Sequence, residues 1–239
     1  IKSLDDNELF DIIADNYKSM TKRNVSPSEY NSWVSSLRFV AGSLRRDEIP
    51  GNTGIAIEYQ IPISSNRIDL TISGLDQNKN EVMLLIELKQ WSEVELVDFS
   101  NTLVNTFVGK AMREVVHPSY QVASYKQMLN DYVEYIQHEN VKLDSVAFLH
   151  NMQRADSPLL DDRFMSLVES SPLFFKSDTK QLGDYVSGLF YYGDNGELIN
   201  KIDSSKLVPS RELKKEVSNI INGIDKFNLI DNQKVVVEK

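Results

Sequence analysis

The sequence predicts an α/β protein with a mixed central sheet flanked by helices. Three observations carry that expectation. Two short segments, Ile55–Ile61 and Arg67–Ile72, alternate apolar with polar residues at the period of a strand. A third, Val82–Lys89, is apolar on both faces until Glu87 and Lys89, as suits the centre of a sheet. Helical periodicity brackets this three-strand meander, and a further strand-like run, Ser145–His150, follows the downstream helix.

The elements follow in order. Leu9, Ile12, Ile13 and Tyr17 make one apolar stripe, and Asp5, Asp6 and Glu8 suit the positive N-terminal end of a helix. A second helix starts at Ser26-Pro27-Ser28-Glu29, where serine caps, proline fits the first helical position and Glu29 completes a capping box. Trp33, Leu37 and Val40 form its buried face, and Pro50, Gly51 and Gly54 end the unit. In the meander, Ile55, Ile57, Tyr59 and Ile61 are expected on one face with Glu58 opposite. Ile68, Leu70 and Ile72 likewise oppose Arg67, Asp69 and Thr71. The breaks Pro62–Asn66 and Asp76–Asn80 are rich in turn formers.

Beyond Trp91, Leu96–Val116 reads as a helix or a hairpin, and the alternation of Thr102, Val104, Thr106 and Val108 favours a hairpin turning near Gly109. His117-Pro118 opens a helix expected to run to about Gln137, with Val122, Tyr125, Leu129, Tyr132 and Ile136 at helical spacing. Pro172–Lys176 reads as a strand and Lys180–Leu189 as a short helix. A last helix begins at Pro209 and runs to about Phe227, followed by a stub, Leu229–Glu238.

At 239 residues the chain holds one domain, or one domain and a tail. No apolar run approaches the eighteen or so residues of a membrane span, and no basic-then-apolar leader is visible. The absence of cysteine excludes disulfides, thiolate zinc sites and a cysteine nucleophile, and fits a reducing cytoplasm. His117, His138 and His150 are too scattered to read as a metal cluster. Twenty-six basic against 35 acidic residues give a net charge of -9. Such a balance argues against a surface that coats nucleic acid broadly, yet allows a local site built around a divalent metal.

The acidic residues of the meander point to such a site. Asp69 and Glu87 are equidistant from Asn78, inside the second break; Glu58 and Asp69 are equidistant from a point between Ile63 and Ser64, inside the first. Two tight turns so centred would bring Glu58, Asp69, Glu87 and Lys89 to one face. Carboxylates so close disfavour one another's ionisation unless a cation lies among them. Magnesium takes hard carboxylate oxygens and keeps several waters, one of which becomes a nucleophile for a phosphodiester. Lys89 is then placed to orient that water or to neutralise charge building on the phosphate. The bland alternative is an edge-strand ion pair of Arg67 with Asp69 and an unremarkable Glu-x-Lys.

Arg67-Ile68-Asp69 followed by Ile86-Glu87-Leu88-Lys89 resembles the signature of the PD-(D/E)XK nuclease superfamily, the restriction-endonuclease-like fold. Gln121-Val122-Ala123-Ser124-Tyr125 resembles the Q-x-x-x-Y motif of its RecB-type subgroup. Ile57-Glu58-Tyr59 with Pro62, Glu87-Leu88-Lys89-Gln90-Trp91 and His117-Pro118-Ser119-Tyr120-Gln121 are similar to the N-terminal domain of bacterial nuclease–helicase fusions with a Schlafen-type helicase half. The resemblance implies a restriction-endonuclease-like core and a magnesium-dependent DNase, with manganese a substitute, working in DNA processing or anti-phage defence. It makes Asp69, Glu87 and the Leu88 carbonyl metal ligands, with Glu58 a fourth, and Lys89 the catalytic lysine. Gln121, Tyr125 and Arg67 become substrate contacts, and Lys110, Arg113 and Lys126 candidate phosphate contacts that otherwise read as solvated surface. Residues 1–205 then form the nuclease-like domain, and residues 206–239 lead towards a helicase domain. In that tail, Leu229-Ile230-Asp231-Asn232-Gln233 resembles the segment before a helicase phosphate loop, with Gln233 as its adenine-recognising glutamine. A nuclease-like domain without turnover, serving as an interaction or regulatory module, and an RNase are the alternatives.

Overall fold

The computed structural model describes residues 24–221, apart from 47, 63, 110 and 156, together with residues 15, 18 and 19. The expected N-terminal helix, Lys110, and the tail with Gln233 therefore lie outside the described residues, Asp15, Lys18 and Ser19 excepted.

Helix α1 (Pro27–Leu44) precedes the meander β1 (Gly54–Gln60), β2 (Arg67–Leu75) and β3 (Glu81–Lys89). A small antiparallel sheet follows, made of β4 (Val94–Leu96), β5 (Leu103–Val108) and β6 (Ala111–Val116). Helices α2 (Pro118–Tyr132) and α3 (Glu134–His138) lead to β7 (Lys142–Leu149), then α4 (Met165–Ser170), β8 (Leu173–Phe175), α5 (Thr179–Leu189), α6 (Glu197–Asp203) and α7 (Arg211–Ile221). The main sheet has the order β1-β2-β3-β7-β8, with β1, β2 and β3 antiparallel neighbours and β7 and β8 added in parallel. The chain is thus mixed α/β, with a five-stranded mixed sheet, a three-stranded antiparallel sheet and helices.

Helices cover both faces of the main sheet. On one side α1 and α5 pack Leu37, Val40, Leu182 and Val186 onto Leu70, Ile72, Leu84 and Ile86. On the other, α2 and α6 bring Val122, Tyr125, Leu129 and Leu198 against Met83 and Leu85. Burial on both faces explains why β3 is apolar from Val82 to Ile86, all of them wholly buried. A third cluster, including Val94, Val104, Leu149, Phe164 and Phe175, ties the small sheet to the β7–β8 edge. Among the described residues no helix is long and apolar enough to cross a membrane.

Both turns form where the breaks predict them. Asp76 Oδ1 accepts the backbone N–H groups of Asn78 and Asn80 at 2.8 Å, and Lys79 adopts the left-handed φ of 63° that closes the turn. The register then pairs Leu70 with Ile86 and Ile57 with Leu70. The hairpin reading of 96–116 also holds, with Gly109 left-handed between β5 and β6.

Two expectations need correction. Ile55, Ile57, Tyr59 and Ile61 do not share a face: Ile55 and Ile57 join the α1 core, while Tyr59 and Ile61 join the α2 core. Leu70 and Ile72 divide from Ile68 in the same way. The cause is Glu58, whose left-handed backbone (φ 53°) interrupts the alternation, so that the ladder pairs Ile57 with Leu70 and Tyr59 with Ile68 but skips Glu58 and Asp69. The second correction is a break in the helix expected to reach Gln137. Val133 is extended and bridges Leu207, while Tyr132 O accepts from Val208 N and Glu134 N donates to Lys206 O. That borrowed backbone pairing competes with helical hydrogen bonds at a β-branched residue. Helices α4 and α6 were not expected; each is short, seven residues or fewer.

Candidate functional site

The site begins where β2 and β3 part. Their ladder ends at Leu70 and Ile86, so the next step sets Asp69 abreast of Glu87 with no strand pairing between them. Asp69 Oδ2 accepts the Leu88 backbone N–H at 2.7 Å, which fixes the carboxylate across the gap. Burial pushes the Asp69 carboxyl well above the ordinary carboxylate range, and the Glu87 charge pushes it further; Lys89 and the Leu88 amide pull it back, and Glu58 adds a small upward push.

Glu87 is only 4% exposed. Its Oε1 accepts from Lys89 Nζ at 2.7 Å, the two side chains sharing a face because they are two residues apart on β3. Its Oε2 is buried with no hydrogen-bond partner. A buried carboxylate oxygen left in that state is costly and calls for an explanation. Lys89 Nζ also lies 5.3 Å from the centre of the Trp91 ring, so the ammonium is held between an acid and an aromatic face.

Glu58 is placed differently. Its Oε1 accepts from Trp33 Nε1 at 2.8 Å, and its Oε2 is 3.5 Å from Arg67 Nε. With Asp69, Trp33, Ser36, Leu37 and Leu88 it lines a cavity of about 230 Å³ beneath α1. Strand alternation turns Glu87 and Lys89 away from Leu88, so the four-residue single face expected from the sequence is split, with Asp69 between its halves. The left-handed backbone at Glu58 is the reason. Among the described residues no three His, Asp or Glu side chains are grouped so as to hold a metal together. The donor set that fits a cation is therefore the pair Asp69 and Glu87: Glu87 Oε2 has no partner and the Glu87 charge acts on the Asp69 carboxyl, which suits a hard ion that keeps most of its waters.

Gln121 and Tyr125 do meet: the Gln121 amide donates to the Tyr125 hydroxyl at 2.8 Å. The Tyr125 ring is 3% exposed and belongs to the α2 core. Arg67 faces Glu58, Lys126 Nζ donates to Ser170 O at 3.3 Å, and Arg113 is exposed on β6.

A polar network beside the cavity escaped the sequence reading. Ser36 Oγ accepts from Gln90 Nε2 at 3.0 Å and lies 3.1 Å from Nε2 of His150, which is fully buried and stacks on Phe39. Asn151 Nδ2 closes the loop by donating to Gln90 O. These residues come from α1, the end of β3 and the end of β7, so no local spacing could have linked them.

His117 caps α2, accepting Ser119 N at Nδ1 while its Nε2 faces Leu159 O at 3.1 Å. Only the neutral ring with its proton on Nε2 serves both partners. Burial lowers its pKa to about 4. An unfolded histidine takes up a proton near pH 6.5 and the folded one does not, so acidification favours the unfolded chain. Lowering the pH from about 7 to about 5 should cost about 2 kcal/mol through this residue. Urea unfolding of the parent and of His117→Asn at both pH values measures it; equal pH dependence in the two proteins contradicts the assignment.

No family model matches this chain, and no curated protein or solved structure matches it.

Proposed function

We propose that this chain is a metal-dependent nuclease that hydrolyses phosphodiester bonds of DNA, and that it serves as the nuclease module of a nuclease–helicase. The observation that carries the reading is the buried Glu87 carboxylate, with one oxygen on Lys89 and the other without a partner, next to the raised carboxyl of Asp69. An α/β scaffold has no structural need to bury that combination, whereas cation chemistry does. The resemblance of Asp69, Glu87, Lys89, Gln121 and Tyr125 to the PD-(D/E)XK signature supports the same reading.

In this mechanism Asp69 and Glu87 would hold magnesium, or manganese in its place. The chemistry supplied there would be Lewis acidity towards the phosphate and a water acidic enough to attack at neutral pH. Hydrolysis joins the water oxygen to phosphorus and breaks one P–O ester bond, the attacking water losing a proton to solvent and the leaving oxygen taking one up from it. Lys89, fixed by Glu87 and the Trp91 face, supplies a positive charge to the phosphate oxygens as negative charge builds on them. The Leu88 amide holds Asp69 in place, and the Trp33 and Arg67 contacts hold Glu58 at the rim. Arg67 is partly spent on Glu58, which makes it a weaker phosphate contact than its position in the sequence implies.

Incubation with single-stranded DNA, double-stranded DNA and RNA tests the proposal. DNA should be cut with magnesium or manganese and left intact with chelator. Cutting confined to RNA moves the substrate to ribonucleic acid; no cutting of any substrate supports the non-catalytic alternative.

A further inference from the structure

The hydrogen bonds around His150 fix which of its ring nitrogens carries the proton. Asn151 Nδ2 donates to the Gln90 backbone oxygen at 3.1 Å, which leaves Asn151 Oδ1, an acceptor, 3.3 Å from His150 Nδ1. The neutral ring therefore holds its proton on Nδ1 and presents Nε2 as a base. Ser36 Oγ lies 3.1 Å from that Nε2 and accepts from Gln90 Nε2 at 3.0 Å, so its own O–H is aimed at the imidazole. A hydroxyl bonded to a base that a third group orients is the arrangement on which general-base chemistry depends.

Ser36 also borders the candidate site. It shares one face of α1 with Trp33 and Leu37, three residues before it and one after, and all three line the cavity of about 230 Å³ that Asp69, Glu58 and Leu88 line as well. Behind Ser36 the imidazole is fully buried, with the Phe39 ring stacked on it at 4.7 Å between centres. Ser36 is thus the route by which Nε2 exchanges a proton with the cavity, and the Phe39 face favours the imidazolium while it lasts. His117 shows what a histidine with a purely structural task looks like: both of its nitrogens are spent on backbone groups, Ser119 N and Leu159 O. His150 spends both on side chains, one of them a hydroxyl beside a cavity that holds a candidate metal ligand.

We propose that Ser36 and His150 form a proton relay for the attacking water of phosphodiester hydrolysis. This rests on the nuclease reading of the site. The water gives a proton to Ser36 Oγ as the Ser36 proton passes to His150 Nε2, while the water oxygen bonds to phosphorus and one P–O ester bond breaks. His150 then returns its proton through Ser36 to solvent, from which the leaving oxygen takes one up, so the protein ends the cycle as it began. Ring nitrogen-15 shifts of the parent in chelator, assigned by the signals lost in His117→Asn and His138→Asn, test the arrangement without cleavage. His150 should carry its proton on Nδ1 and His117 on Nε2. In magnesium, Ser36→Ala should cut DNA about a hundredfold more slowly than the parent or worse, yet bind Mn2+ as the parent does. Ser36→Thr, which keeps a hydroxyl, should stay within about tenfold of the parent.

A proton on His150 Nε2 overturns the relay. So does a Ser36→Ala protein that cuts at the parental rate, or one that loses Mn2+ binding together with activity. The two readings fail in different ways. Metal-dependent cutting that survives Ser36→Ala removes the relay alone, whereas a parent that cuts no nucleic acid in magnesium removes the nuclease and the relay with it.

Discussion

Lys89→Gln protein is expected to cut DNA at least about a hundredfold more slowly than the parent, because the proposed mechanism loses the charge that meets the phosphate. Glutamine is the informative replacement. It still offers an N–H to Glu87 Oε1, so the buried carboxylate keeps its partner and the fold is preserved. Lys89→Ala instead leaves Glu87, 4% exposed, with neither oxygen paired, and such a charge costs about 3–5 kcal/mol of stability. Alanine should therefore lose activity and stability together, and glutamine should lose activity alone. Gel-based cleavage beside thermal melts by circular dichroism separates the two. A glutamine variant that retains full activity contradicts the role given to Lys89.

Asp69→Asn has the opposite effect on stability. Three carboxylates, Glu58, Asp69 and Glu87, meet two cations, Arg67 and Lys89, around the site, and burial adds to the cost of ionising Asp69. Whether the folded chain holds that side chain charged or protonated at pH 7, it does so at a cost that the unfolded chain avoids. Asparagine keeps an oxygen for the Leu88 N–H and removes the cost. In chelator the variant should be more stable than the parent by roughly 1–2 kcal/mol, as is common when a strained functional site is neutralised. Magnesium should then raise the melting temperature of the parent and leave the variant's unchanged, since binding to the folded state alone is what stabilises. A variant less stable than the parent in chelator contradicts the electrostatic account of Asp69.

Much of this was legible in the sequence because it rests on local rules. Turn chemistry at Asp76–Asn80, with Asp76 taking two backbone N–H groups, fixed the β2–β3 register and with it the nearness of Asp69 to Glu87. Period-two spacing joined Glu87 to Lys89. What failed was the extrapolation of strict alternation through Glu58. A left-handed non-glycine residue inside a strand has no signature in hydropathy, and it moved Tyr59 and Ile61 to the opposite core and Glu58 towards Trp33. The break at Val133 was equally hidden, because its cause is backbone pairing with 206–208, some seventy residues downstream. The Ser36–Gln90–His150 network depends on three elements meeting at one end of the sheet, which spacing along the chain does not encode.

Titration of the parent, Asp69→Asn and Glu87→Gln with Mn2+, followed by the electron paramagnetic resonance signal of free ion, addresses the central claim most directly. Saturable binding by the parent and its loss in both variants are expected, because each variant removes one of the two carboxylates proposed to hold the ion. Equal binding by all three proteins, or none by the parent, would contradict it.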